Sequence, residues 1–202
     1  MAAKAPAGYD LSVFINCPFD TDYKPIFDAI VFAVMECGFI PRCALEAVDA
    51  GQVRIEKICQ IIASCRFGIH DISRTELDSI NHLPRFNMPL ELGLFLGSQR
   101  FGERRHKNKS CLILDREQYR YQKFISDIAG QDIAAHHGEP ASVIKKIRNW
   151  LAPHKTPLPG GAAIVKRYIA FQKALPKVCQ ELDLQPDELE FNDLVNVIKQ
   201  AS

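Results

Sequence analysis

The stretch that decides the fold reads Arg66-Phe67-Gly68-Ile69-His70-Asp71-Ile72-Ser73-Arg74-Thr75-Glu76 and resumes as Phe86-Asn87-Met88-Pro89-Leu90-Glu91-Leu92-Gly93-Leu94-Phe95-Leu96-Gly97. Phe67, Gly68 and Ile69 form a short apolar run of strand type, and Asp71 stands where that buried strand should end. A polar loop follows, and then an apolar helix that carries Glu91 one turn in. A charge among Leu90, Leu92, Leu94, Phe95 and Leu96 must be paired, protonated or turned toward a cleft. One carboxylate at a strand end and another early in the next helix make this the strongest lead to an active site.

Working outward, the same strand-then-helix rhythm recurs. Leu11 to Asn16 is β-branched and aromatic, bounded by Asp10 and Cys17-Pro18, as suits a strand buried on both faces. After a polar turn, Ile26, Phe27, Ile30, Val31 and Val34 recur at helical spacing, and Gly38 sits where a C-cap glycine belongs. Phe39 to Leu45 is a second strand, which Pro41 assigns to an edge because it cannot donate to a ladder. Ile55, Ile58, Cys59 and Ile62 mark the next helix, ahead of the quoted strand. Cys111 to Leu114 is a fourth strand with Asp115 at its end, Tyr119 to Ile128 is expected as a helix, and a fifth strand is expected near Ile133 before the helix Val143 to Leu151.

Strands alternating with helices at this pace predict an α/β fold with a parallel sheet of about five strands. Right-handed crossovers and an edge second strand favour the flavodoxin-like order 2-1-3-4-5. Ligands in such sheets bind at the carboxyl ends of the strands, near the switch point between the first and third. Those ends carry Asn16, Asp20, Glu46, Asp71 and Asp115, with Glu91 arriving on the helix after the third strand. Pro153 to Gly161 reads as a linker, so residues 1–155 are expected as the α/β domain and 156–202 as a helical C-terminal extension. Its stripe of Ile164, Tyr168, Phe171 and Leu175 and its second helix after Pro186 bury too little alone, and should dock on the main domain or on a second copy of the chain.

Lys+Arg 25 against Asp+Glu 24 leaves a net charge of +1, so no global field draws in nucleic acid or an anionic membrane. The one basic cluster, Arg100 to Lys109, is interrupted by Glu103 and reads as a solvated loop. Seven cysteines lie mostly in apolar segments without metal-ligand spacing, as expected of reduced core thiols and a cytoplasmic location. No run approaches the ~20 apolar residues of a membrane span. Neither G-x-G-x-x-G nor G-x-x-x-x-G-K-[ST] occurs, which argues against a dinucleotide dehydrogenase or a P-loop enzyme, and no metal or other cofactor is expected.

The carboxylates say more. N-glycosidic bonds break through an oxocarbenium-like transition state that a carboxylate can stabilise or attack. Glu91 on a rigid apolar helix fits that role, with Asp71 able to protonate or hydrogen-bond the leaving base. The competing reading makes Asp71 a structural cap and Glu91 the partner of Arg74 or Arg85 in a bridge. Cys17, just after the first strand, is a second candidate nucleophile, though no histidine is placed by sequence to activate it.

Three segments, Val13 to Asp20, Gly68 to Ser73 and Asn87 to Gly93, resemble the signature regions of the nucleoside 2-deoxyribosyltransferase-like families and share the plan of bacterial TIR-like domains. The resemblance covers about residues 11 to 151. It implies that Glu91 is the catalytic carboxylate, that Asp71 contacts base or ribose, and that Phe14, Asn16 and Asp20 line the pocket. Glu46, Ser73, Arg74 and Asn87 complete the expected substrate-binding set. The function so implied is an N-glycosidic-bond hydrolase or transferase acting on NAD or a related nucleoside or nucleotide, with NAD a substrate and not a cofactor, in the setting of anti-phage defence. The alternative is a catalytically silent TIR-like nucleotide-sensing or protein-interaction module. Either is expected to be a homo-oligomer, assembled through the C-terminal helices, with no direct nucleic-acid or membrane partner.

Overall fold

The computed structural model describes residues 6–46, 51–77 and 82–201. Its centre is one sheet of five parallel strands, β1 (Ser12–Asn16), β2 (Ile40–Cys43), β3 (Phe67–Asp71), β4 (Ser110–Asp115) and β5 (Ile133–Ala135). They lie in the order β2-β1-β3-β4-β5, the flavodoxin-like arrangement expected from the alternation of elements. Pro41 sits in the edge strand β2, where its missing N–H is tolerated. The helices are α1 (Lys24–Glu36), α2 (Arg54–Ser64), α3 (Asn87–Phe101), α4 (Pro140–Leu151), α5 (Gly161–Glu181) and α6 (Phe191–Ala201).

Alternation along the strands sorts the core into two sides. Val13, Ile15, Phe67, Ile69, Leu112 and Leu114 pack with α1 and α4. Phe14 packs with α2 and with Phe95 of α3, and Ile113 joins Ile72 and Leu92 of α3. Gly68 has a specific reason to be glycine: a Cβ there would lie 2.7 Å from His70 Nε2 and from a ring carbon of Phe95. Those two rings pack edge to face with centroids 4.9 Å apart, directly over the glycine.

The C-terminal extension docks on the α/β domain of its own chain. Ile164, Tyr168, Phe171 and Leu175 of α5, with Leu194, Val197 and Ile198 of α6, belong to the same apolar cluster as α1 and α4. Phe32 is the hinge of this contact, its ring centroid 5.3 Å from Tyr168 and 5.2 Å from Phe171. Helix α1, covered by the sheet on one side and the extension on the other, is accordingly buried from Ile26 through Val34.

Two local expectations are corrected. The segment 119–128 holds only short 3-10 turns, Arg120–Lys123 and Ser126–Ile128, and no helix. Tyr119 is in the left-handed region at φ 62°, and Arg120 spends its guanidinium on Asp115 and on the carbonyls of Ile72 and Ser73. The second correction is Lys109, which leaves the basic cluster and turns inward. Its ammonium caps the end of α2, donating to the carbonyls of Ile62 and Cys65, and stands 4.5 Å from the centre of the Phe95 ring. Burial lowers its pKa to about 8.

Candidate active site

A cleft of about 620 Å³ opens at the carboxyl end of β1, beside the switch point between β1 and β3. The end of β1 and the loop after it supply Asn16 to Asp22, the start of α2 supplies Arg54, the loop after β3 supplies Arg74, Glu76 and Arg85, and α3 supplies Asn87, Met88 and Glu91. The chain thus gathers residues from four loops or helix starts around one carboxylate. No helix among the described residues is long and apolar enough to cross a membrane.

Glu91 is 6% exposed, yet it lines the cleft and, among the described residues, makes no hydrogen bond and no ion pair. The structural bridge to Arg74 does not form: Arg74 Nη2 donates to Asp20 Oδ1 at 2.6 Å. Asp20 in turn accepts from the Tyr23 amide at the start of α1, so both partners of that pair are anchored. Burial pushes the Glu91 carboxyl up to about 7, against the opposing pull of the Arg54 guanidinium.

The position of Glu91 is set by a clamp between β1, β3 and α3. Asn16 Nδ2 donates to His70 Nδ1 at 3.0 Å and to the Met88 carbonyl at 2.9 Å. Because a carbonyl only accepts, the amide nitrogen must face it, and His70 must carry its proton on Nε2. The ring stays neutral, with burial lowering its pKa to about 3, and it packs against Phe14 and Phe95. Asn16 therefore ties the first turn of α3 to the sheet, three residues before Glu91.

Asp71 lies beneath the cleft and not in its wall. It is fully buried, accepts from the Tyr23 hydroxyl at 2.6 Å and from the Ser73 amide at 2.8 Å, and has His136 Nε2 at 3.0 Å without hydrogen-bond alignment. Gly138 N–H donates to His136 Nδ1, which puts the ring's N–H on Nε2, facing Asp71. Next to this group Asp115 is bound by Arg120 at 2.7 Å, and burial still raises its pKa.

Of the residues expected at the site, Asn16, Asp20, Arg74, Asn87 and Glu91 line the cleft. Phe14 is fully buried against the His70 ring, Ser73 is buried beside Asp71, and Glu46 is held by Arg42 through two bonds of 2.6 Å. Arg54 and Glu76 escaped the sequence reading, as did Tyr23, His70 and His136, while Arg85 enters it only as a bridge partner for Glu91 and forms no ion pair with it among the described residues. Arg54 carried no signal in an unremarkable charge pattern. His70 was readable in principle, since a histidine at the end of an apolar strand needs a buried partner. Cys17 is in the cleft wall but buried, and burial together with Asp71, Cys43, Glu91 and Asp20 raises its thiol well above the ordinary range. A thiol so disfavoured as thiolate is a poor nucleophile at neutral pH.

Comparison with family models, with curated proteins and with solved structures finds no match for this chain.

Proposed function

We propose that the chain cleaves an N-glycosidic bond of a nucleotide through Glu91, with NAD the leading substrate. The observation that carries this reading is an unpaired carboxyl in an apolar helix, buried to 6% exposure and still facing a ligand-sized cleft. Fold architecture is shared by many functions, so the argument rests on the site.

The surroundings choose among substrates. Departure of a neutral base requires a proton for its nitrogen, and the obvious donor, Asp71, is buried and already accepts from Tyr23 and Ser73. Among the other acids of the cleft, Asp20 is held by Arg74 at 2.6 Å, Asp22 stands 3.6 Å from the same guanidinium, and Glu76 is held by Arg116 at 2.6 Å. A base that is already cationic, as the nicotinamide ring of NAD is, needs no such donor. In this scheme the bond between the anomeric carbon and the ring nitrogen breaks, its electron pair neutralises the departing base, and the Glu91 carboxylate stabilises or traps the ribosyl cation. Water, or another sugar acceptor, then adds at that carbon and loses its proton. The substrate's positive charge also favours the ionised form of Glu91 on binding. Arg54 and Arg85 supply cations for the phosphates at the cleft mouth.

The non-catalytic module is supported by a different observation: Leu77, Leu83, Phe86 and Leu90 are all more than half exposed around the loop after β3 and the start of α3. A chromatographic screen of NAD and representative nucleosides with purified protein separates the two. Release of free base from NAD, with slower or no release from neutral nucleosides, is the expected result; an inert protein leaves the interaction module standing.

A further inference from the structure

A second cavity, of about 300 Å³, adjoins the first. Phe19, Asp20 and Thr21 line both, so the loop after β1 forms a common ridge between them. The far wall comes from the C-terminal extension: Asp187, Glu188, Leu189 and Glu190 lie in the segment that joins α5 to α6. The extension therefore does more than cover α1; it encloses space next to the cleft of Glu91.

The two spaces differ in charge. The first mixes Arg54, Arg74 and Arg85 with Asp20, Asp22, Glu76 and Glu91, of which Asp20 is held by Arg74 and Glu76 by Arg116, each at 2.6 Å; the second has Asp187, Glu188 and Glu190 at its rim, with its Lys24 engaged by Asp28 at 3.1 Å. An anionic group finds Arg54 and Arg85 in the first and is repelled from the second, which instead suits a neutral moiety rich in N–H and O–H donors. The ridge offers an aromatic surface. Phe19 is 39% exposed, and its ring is steadied by Phe27, 5.5 Å away and nearly perpendicular, which is itself backed by Phe191 of α6. A planar ring of a ligand can stack on a side chain held this way at little entropic cost.

We propose that the second cavity binds the distal ring and sugar of a two-ring pyrophosphate ligand, which makes a dinucleotide, and not a nucleoside or mononucleotide, the substrate class. This rests on the assignment of the first cleft to a nucleotide. The phosphates then sit by the arginines, the scissile bond by Glu91, and the second nucleoside over Phe19, with its hydroxyls and amine toward Glu188 and Glu190.

Calorimetric titration of full-length protein carrying Glu91→Gln, which suppresses turnover, tests this with two probes, NAD and nicotinamide mononucleotide. Stacking and hydrogen bonding of one extra nucleoside should make NAD bind about tenfold or more tightly. Glu188→Trp fills the second cavity from an exposed position, and Phe19→Ala removes the platform; each should collapse that gap toward unity while the melt stays cooperative. Equal binding of the two probes, or a gap that survives both substitutions, overturns the proposal and leaves the first cleft's reading intact. Failure of both probes to bind, to this protein and to the wild type alike, would instead remove the reading of the first cleft, and this proposal with it.

Discussion

At the scale of single residues, the buried carboxyl of Glu91 comes at a cost to stability. Its carboxyl titrates near 4.5 in the unfolded chain and at about 7 in the fold. Folding therefore favours the protonated form, and stability is lost as pH rises from the first value through the second. The full penalty above pH 7 is on the order of 3 kcal/mol. Glu91→Gln keeps the shape and removes the charge, so the variant should melt above the wild type at pH 8, and the two should converge below pH 4.5. A variant less stable than the wild type at pH 8 would mean that Glu91 holds a structural partner. The same titration predicts that base release rises through about pH 7 to a plateau, read as kcat/KM against pH. Glu91 was legible in the sequence because it interrupts an apolar helix. The burial of Asp71 was not, since a strand-end acid reads alike whether it faces the cleft or faces Tyr23.

The elements are joined at the site by small contacts that periodicity does not report. Asn16 gives both of its amide hydrogens, one to His70 on β3 and one to the Met88 carbonyl on α3. Asn16→Ala leaves the buried His70 Nδ1 unsatisfied, at about 1–3 kcal/mol, removes the tie to the Met88 carbonyl, and frees the first turn of α3. Its expected signature is faster amide hydrogen exchange at the start of α3, with a fall in turnover larger than the fall in ligand affinity. Gly68→Ala drives a methyl group into the His70 and Phe95 rings and should cost about 1–3 kcal/mol in a denaturant melt. The strands and main helices were legible because their apolar periods are strong, whereas the 119–128 segment was not. There an apparent helical period lost to the hydrogen bonds that Arg120 makes across two strand ends.

For the whole molecule, the decisive fact is that the C-terminal helices and the sheet share one apolar cluster. The signal for this stood in α1, where Ile30-Val31-Phe32-Ala33-Val34 is apolar on every face and so asks for cover on both sides. Phe32, pointing away from the sheet at Tyr168 and Phe171, is the residue whose reading would have required the extension. A chain ended after His154 would expose that face of α1 together with the inner face of α4, and it should lose its cooperative melt or aggregate. A soluble, cooperatively melting fragment would contradict the shared core. The central claim, that Glu91 breaks an N-glycosidic bond, is tested most directly by measuring nicotinamide release from NAD by wild type and Glu91→Gln side by side at pH 8. The account predicts release by the wild type and a rate at least about a thousandfold lower in a variant that is folded and more stable. A wild type that releases no base, or a variant that releases it as fast, would contradict it.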